Sequence, residues 1–353
     1  MKKKNRVFWA AAFVLCVAIA SSLVWLGLRV YAKEKQNEYI KWVEYDVPYA
    51  AMEQALNADI SAYETGESRS WVDLLAYLAA QYGGDWSRYQ SADMQALLEK
   101  LDAGTTMEEL TDTMDYYAYY AEAYDAVLGG MVGEFYLAKE TDASGQPLYT
   151  AQYGLKAYSP IAYQYGFSHY DDFGNSRSFG YRRRHLGNDL LGNVGTPIIA
   201  VESGTVEVMG WNRYGGWRIG VRSFDQKRYY YYAHLRKDHP FQSTLQEGSV
   251  VQAGDVIGYL GMTGYSDTEN VNGMTKPHLH FGLQLIFDES QKEGNGEIWV
   301  DVYQLVNLLQ THCSVVEQDE TTKEYQRKYG FLDPEVPGQD LPELSPQSPV
   351  PES

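Results

Sequence analysis

The chain has 353 residues, of which 44% are hydrophobic, and it carries a formal net charge of −18. This length and hydrophobic content suffice for one large domain or two smaller ones with buried cores, which argues against a wholly disordered chain. Residues 1–35 are predominantly basic, so the acidic charge is concentrated in the remainder. Because a phosphate backbone would repel so acidic a body, no nucleic acid partner is expected.

The N-terminal segment has the pattern of a membrane anchor. Residues 7–28 carry no charged side chain, and about 20 apolar residues cross a hydrocarbon core about 30 Å thick. Basic residues within positions 2–6 predict that this end stays in the cytoplasm. A cleaved signal peptide is the alternative, because Ala18-Ile19-Ala20 has the form of a cleavage site. We expect residues 1–35 to form a cytoplasmic stub and a retained single-pass anchor in the lipid of the cell membrane, with the C-terminal domain extracytoplasmic.

Residues 36–150 are predicted to form a small all-α module, a stalk or spacer. An apolar stripe with helical spacing begins at Trp71. Thr106 and Glu109 have the spacing of a capping box, which predicts a helix that continues to Gly129. The glutamates of this region show no paired spacing that would indicate a muramidase. The module could also dock a cell-wall, divisome or sporulation protein.

Residues 155–312 have a different pattern, in which glycines alternate with short β-branched runs such as residues 204–208. Short strands separated by glycine turns indicate an all-β domain, so the fold class is α+β overall: a single transmembrane helix, a small all-α domain and then a β domain. Residues 333–353 are rich in Pro, Ser and acidic residues. Such a composition cannot bury enough apolar surface to order itself, which predicts a disordered tail.

Five polar residues of the β region have the pattern of a zinc site. His185 and Asp189 are four residues apart, and His278 and His280 alternate along a predicted strand. Period two then places both of those imidazoles on one face. His234 ends another predicted strand. Two histidine nitrogens and one carboxylate oxygen hold a catalytic zinc with a fourth position open to water, and two further imidazoles can move protons.

The segments around these residues resemble those of the M23 peptidases, the lysostaphin and LytM-like family that carries the duplicated hybrid motif. The matching segments, in the family's order, are Arg184-His-Leu-Gly-Asn-Asp189, Val194-Gly-Thr-Pro-Ile-Ile-Ala-Val-Glu-Ser-Gly204, Tyr232-Ala-His-Leu235, Val250-Val-Gln-Ala-Gly-Asp-Val-Ile-Gly258 and Pro277-His-Leu-His-Phe281. The resemblance implies an all-β peptidase domain over residues 155–312. It also implies a zinc endopeptidase that hydrolyses peptide bonds of peptidoglycan stem peptides or cross-bridges.

Carried over by position, the resemblance implies that His185, Asp189 and His280 are the zinc ligands. It implies that His278 is the general base that takes a proton from the attacking water. His234 would stabilise the oxyanion or assist proton transfer, and the choice of base between these two histidines stays open. Zinc polarises the scissile carbonyl, and an imidazole base contributes on the order of 10²–10⁴ in rate.

Two departures from the family pattern bear on specificity. Residues 265–276 are longer than the usual turn before the histidine pair, and Gly282 stands where an acidic residue often follows. The main alternative function is a catalytically silent LytM-like scaffold or a regulator of other cell-wall enzymes. A second alternative, a phosphotransferase-like fold suggested by residues 195–204, leaves Asp189 unexplained.

Overall fold

The computed structural model describes residues 39–342 of the chain, and the first part of these residues is helical, as predicted. The helices are α1 (Tyr49–Glu64), α2 (Trp71–Tyr82), α3 (Ser91–Asp102), α4 (Met107–Thr111) and α5 (Tyr117–Leu128), with a 3₁₀ turn at Trp86–Arg88. The side chain of Ser70 accepts a hydrogen bond from Asp73 N and so caps α2, and Gly83 ends that helix with φ of 65°.

The capping box at Thr106 and Glu109 is confirmed, since each side chain bonds the other residue's backbone N–H. The prediction of one continuous helix from there to Gly129 is wrong. The helix ends at Thr111, and α5 begins only after Tyr116, whose φ of 64° no α-helix accommodates. Tyr116 is 75% exposed, and the docking of a protein partner at these tyrosines stays a prediction.

From residue 132 onward the chain is built mainly of strands, so the helices end before the predicted limit of 150. The strands are β1 (Val132–Thr141), β2 (Pro147–Leu155), β3 (Ser176–Phe179), β4 (Tyr181–Arg184), β5 (Asn188–Leu191), β6 (Pro197–Ile199), β7 (Gly204–Asn212), β8 (Gly216–Ser223), β9 (Arg228–Ala233), β10 (Val250–Val251), β11 (Val256–Tyr259), β12 (His278–Leu285), β13 (Ile298–Val300), β14 (Val316–Gln318), β15 (Tyr325–Arg327) and β16 (Gly330–Leu332). A 3₁₀ turn at Glu289–Gln291 and helix α6 (Tyr303–Leu309) lie among them.

The main sheet has the strand order β10-β7-β8-β9-β12-β13, and β5 pairs with the first half of β12. All of its pairings are antiparallel. Alternate residues of β12 face opposite sides of the sheet: Leu279 and Phe281 are fully buried in the core, which leaves His278 and His280 on the other face. A three-stranded sheet, β16-β1-β2, groups the first two strands after the helices with the last strand of the described residues.

The helices and the main sheet belong to the same compact unit, which begins at Trp42, and a buried arginine connects them. The guanidinium of Arg228 on β9 is 1% exposed and forms an ion pair with Glu202 at 2.7 Å. Its Nη1 donates to the backbone carbonyls of Asp125 and Ala126, in the last turn of α5, each at 3.2 Å. Asp125 O also accepts a hydrogen bond from Gly129 N at 2.8 Å, so Arg228 adds to the hydrogen bonds at the C-terminal end of α5 while it ties the helix to the sheet.

The structure does not support the prediction of a single-pass membrane protein. Within residues 39–342, no helix is long and apolar enough to cross a membrane. The longest helix there, α1, has 16 residues, a length of about 24 Å against a hydrocarbon core of about 30 Å, and it contains Glu53 and Asp59. The predicted span itself, residues 7–28, lies outside the described residues. The architecture that the structure supports is a helical region with an all-β domain.

The start of the predicted disordered tail is packed against the body. Asp333 is 2% exposed and pairs with the buried ammonium group of Lys156 at 3.0 Å. Val336 is also buried. Residues 343–353, the remainder of the predicted tail, lie outside the described residues.

Candidate metal centre

Three of the five predicted site residues converge at the edge where β5 meets β12. His185 precedes β5, Asp189 lies on it, and the strand register places His280 directly opposite Asp189. The distance from His185 Nε2 to Asp189 Oδ1 is 3.0 Å, and from Asp189 Oδ1 to His280 Nδ1 it is also 3.0 Å. His185 Nε2 and His280 Nδ1 are 3.1 Å apart. Three donor atoms from distant parts of the sequence thus share one small space.

Gly187 allows this close approach. A Cβ atom at Gly187 would lie 2.6 Å from Phe281 O and 2.8 Å from the imidazole of His280. Any larger residue would push the chain that carries His185 away from β12. The glycine between His185 and Asp189 is therefore required by packing.

His278 and His234 lie beside this group, with Nε2 of His278 toward it and the ring centroid of His234 6.0 Å from that of His280. His278 Nε2 is 3.8 Å from Asp189 Oδ1, while its Nδ1 is 2.9 Å from Lys276 O. His234 Nδ1 is 2.8 Å from Thr263 O, and the two imidazole centroids are 4.8 Å apart. A carbonyl oxygen can only accept, so Nδ1 carries the proton in both rings and Nε2 is left as an acceptor.

The electrostatics of the site favour an ionised carboxylate at Asp189 and neutral imidazoles at His234 and His280. Burial raises the pKa of Asp189, but its contacts with the imidazoles of His185 and His280 outweigh burial and hold the pKa of the carboxyl well below its usual range. Burial lowers the pKa of His234 well below its usual value, and His278 and His280 nearby lower it further. Burial also lowers the pKa of His280, although Asp189 partly opposes this. Neutral imidazoles and a carboxylate are the forms that ligate a metal.

Two residues behind the site were missed by the sequence reasoning. Asp172 Oδ1 accepts a hydrogen bond from His185 Nδ1 at 3.0 Å, which turns Nε2 toward the other donors. Arg177 pairs with Asp172 and lies 3.5 Å from Oδ2 of Asp189, the oxygen that faces away from His280. Both precede the motif in the sequence and have no fixed spacing to it. Only the adjacent loop and the β3-β4 hairpin bring them to the site.

The site forms one wall of a cleft of about 650 Å³. Aromatic side chains line it, among them Tyr231, Tyr265 and Trp299, and arginines line its other parts. The long loop over residues 265–276 contributes Tyr265 and Met274 to the lining of the cleft. The space suits an extended peptide whose side chains meet both apolar and charged surfaces.

The donor set fits zinc. Tetrahedral ligation at about 2.0–2.1 Å separates donor atoms by about 3.3 Å, close to the 3.0–3.1 Å between His185 Nε2, Asp189 Oδ1 and His280 Nδ1. Within the described residues, this trio is the group of metal-ligating side chains that lies close enough to hold an ion. Two imidazoles and one carboxylate favour zinc over magnesium or calcium, which prefer oxygen donors.

Comparison with known proteins finds relatives of this part of the chain. Residues 183–293 match the family model described as Peptidase family M23. The L-Ala–D-Glu endopeptidase of Bacillus subtilis (strain 168) is 39% identical over 124 residues, 35% of this chain and 36% of the relative. Lysostaphin of Staphylococcus simulans is 40% identical over 98 residues, 28% of this chain and 17% of the relative.

The glycyl-glycine endopeptidase ALE-1 of Staphylococcus capitis is also 40% identical over 98 residues, 28% of this chain and 24% of the relative. In each case the similarity is confined to a minor part of the relative's length. The names of the Bacillus subtilis and ALE-1 enzymes specify different peptide bonds, L-Ala–D-Glu and glycyl-glycine. Similarity alone therefore does not determine which bond a cleft of this kind accepts.

Proposed function

We propose that this chain, whose residues 183–293 form a domain of peptidase family M23, is a zinc endopeptidase that hydrolyses peptide bonds of peptidoglycan stem peptides or cross-bridges. The observation that carries the proposal is the convergence of His185, Asp189 and His280 in a cleft that two further histidines enter. A catalytically silent scaffold would have no need to keep all five side chains in this arrangement. The relatives act as endopeptidases by name, which supports the same activity here.

In the proposed mechanism His185, Asp189 and His280 hold the metal. When bound, zinc supplies Lewis-acid polarisation of the scissile carbonyl and activation of water. The lowered pKa of Asp189 favours the charged carboxylate, the form that ligates a metal. Asp172 keeps His185 in the tautomer that offers Nε2.

The two remaining histidines handle protons. His278 Nε2 accepts the proton of the attacking water, since its Nδ1 is fixed as a donor to Lys276 O. His234 is neutral at pH 7, and its Nε2 has no proton while Nδ1 donates to Thr263 O. It can therefore stabilise a negative oxygen only after it has accepted a proton. This favours proton transfer over oxyanion stabilisation as the role of His234, which would pass on to the leaving amine the proton that His278 has taken from the water.

The test uses the full-length chain and purified peptidoglycan, with release of new amino groups as the readout and mass spectrometry to identify the ends. We expect release by the wild type and by His239→Ala, a control that removes a histidine outside the cleft. We expect none by His280→Ala or in the presence of a chelator. Digestion by His280→Ala at the wild-type rate would contradict the proposal, and bound zinc without any release would favour the scaffold.

A further inference from the structure

Two arginines in the cleft wall have no carboxylate partner among the described residues. Arg183 on β4 and Arg218 on β8 line the same cleft as the five site residues. Arg183 Nη1 and Arg218 Nε are both inaccessible to solvent and form no hydrogen bond. A buried guanidinium donor without a partner is costly, so such a group in a native fold calls for an explanation.

Other arginines near this cleft do form ion pairs with carboxylates. On the same strand and the same face as Arg218, Arg222 pairs with Glu289 at 2.8 Å. At the other side of the cleft, Arg177 pairs with Asp172. The chain has 47 acidic residues against 29 basic ones, so the lack of a partner at Arg183 and Arg218 does not follow from composition.

Arg183 is held in place by aromatic rings that leave donors free. Its guanidinium lies 5.1 Å from the centroid of Tyr214 and 4.9 Å from that of Tyr265. Nη2 donates to the hydroxyl of Tyr265. These contacts hold the guanidinium at the cleft wall, and the planar fork of a guanidinium matches the geometry of a carboxylate.

Arg218 faces the candidate metal centre across one intervening strand. The register that pairs Ile219 with Tyr232 places Arg218 beside Ala233, and Ala233 is paired with His280. Two strand spacings, about 10 Å, therefore separate the backbones of Arg218 and His280. Ala233 itself presents only a methyl group on this face, and Tyr231, two residues along β9, has its ring centroid 5.9 Å from that of His280.

The geometry points to a substrate carboxylate as the missing partner: we propose that Arg218 and Arg183 bind a free carboxylate that the peptide carries one or two residues from the bond cleaved. This inference rests on the proposed peptidase function and specifies its substrate. Extended peptides advance about 3.3 Å per residue, so an arginine side chain that starts about 10 Å from His280 reaches a neighbouring residue of the substrate.

The proposal selects between the two kinds of peptide in peptidoglycan. A D-glutamate joined to the next residue through its side-chain carboxyl keeps a free α-carboxylate, whereas a glycine bridge has no charged side group. Arg218 and Arg183 would favour the first kind, because a charged donor left unpaired in the cleft disfavours a neutral substrate. The substrate class is therefore an acidic stem peptide, cleaved close to its D-glutamate.

The experiment compares two preparations of soluble cross-linked muropeptides that differ only at one group, the α-carboxylate of D-glutamate or the α-amide of D-isoglutamine. The zinc-loaded full chain is assayed on both, and kcat/KM is measured for the wild type, Arg218→Gln, Arg183→Gln and Arg213→Gln. Arg213 is an exposed arginine with its own partner, Asp267, at 3.2 Å, so Arg213→Gln is the matched control.

We expect the wild type and Arg213→Gln to prefer the carboxylate form by on the order of ten- to a hundredfold in kcat/KM, the usual effect of a charge-assisted hydrogen bond. Arg218→Gln and Arg183→Gln should bring the ratio close to one, and Arg218→Lys should restore part of it. Equal cleavage of both forms by the wild type, or an unchanged ratio in Arg218→Gln, would overturn the proposal while peptidase activity stands. Cleavage of neither form by the wild type would refute the proposed function and this inference with it.

Discussion

Replacement of Asp172 tests whether the residues behind the metal centre position its ligands. Asp172→Ala removes the acceptor that holds His185 Nδ1 at 3.0 Å, and it frees Arg177, which lies 3.5 Å from Asp189 Oδ2. Arg177 can then pair fully with Asp189 and compete with the metal for its charge. Loss of such a support reduces metal affinity by about 10–100-fold, which corresponds to about 1.4–2.8 kcal/mol.

The zinc dissociation constant of the full-length chain, measured by competition with a fluorescent chelator, checks this prediction. Asp172→Asn keeps an acceptor oxygen without the charge, so we expect an intermediate affinity. Asp171→Ala is the matched control, because it removes a carboxylate one residue away that has no contact with a ligand among those described. A dissociation constant for Asp172→Ala within twofold of the wild type, or an equal loss in Asp171→Ala, would refute the reasoning.

Three further predictions concern catalysis and stability. His278→Ala should lower kcat by a factor on the order of 10²–10⁴ and leave one zinc bound, since it removes the proton acceptor and no metal ligand. Rate measurements check the loss of kcat, and metal analysis of the same protein checks that zinc stays bound. Arg228→Met should lower the free energy of unfolding, measured in urea, by about 3–5 kcal/mol, because it leaves the carboxylate of Glu202 buried without its cation. The double variant with Glu202→Gln should recover about half of that loss. No recovery in the double variant would contradict this prediction. Burial, with Asp171 nearby, raises the pKa of Asp301 to about 6, so the stability of the wild type falls as pH rises from about 4 to about 6. Asp301→Asn should therefore raise the free energy of unfolding at pH 7 by about 1 kcal/mol relative to the wild type, after allowance for the partial exposure of this side chain. At pH 4 the two proteins should unfold at the same urea concentration.

The ligand trio was accessible to sequence reasoning because its members lie in short segments with fixed local geometry. His278 and His280 alternate on a strand, and the glycine between His185 and Asp189 keeps that segment close to β12. Asp172 was not accessible, since its contact with His185 depends on the path of a loop that no local pattern specifies. The same holds for Arg183 and Arg218, because only the tertiary structure shows that no carboxylate of the described residues lies next to them.

The fold shows the same division between local and tertiary information. The capping box at Thr106 is local and was predicted, but the break at Tyr116 was not, although Asp112 and Asp115 before it are residues that compete with helical hydrogen bonds. The β1-β2 hairpin also carried a local signal: Asp142 accepts hydrogen bonds from the backbone of Ser144 and Gln146 in its turn.

The most direct measurement of the central claim removes the metal from the full-length chain and returns zinc stepwise while new amino termini released from purified peptidoglycan are counted. We expect no release without metal, a linear rise that stops at one zinc per chain, and no rise for His280→Ala. Release that persists in the metal-free protein, or that zinc restores equally to His280→Ala, would contradict the account.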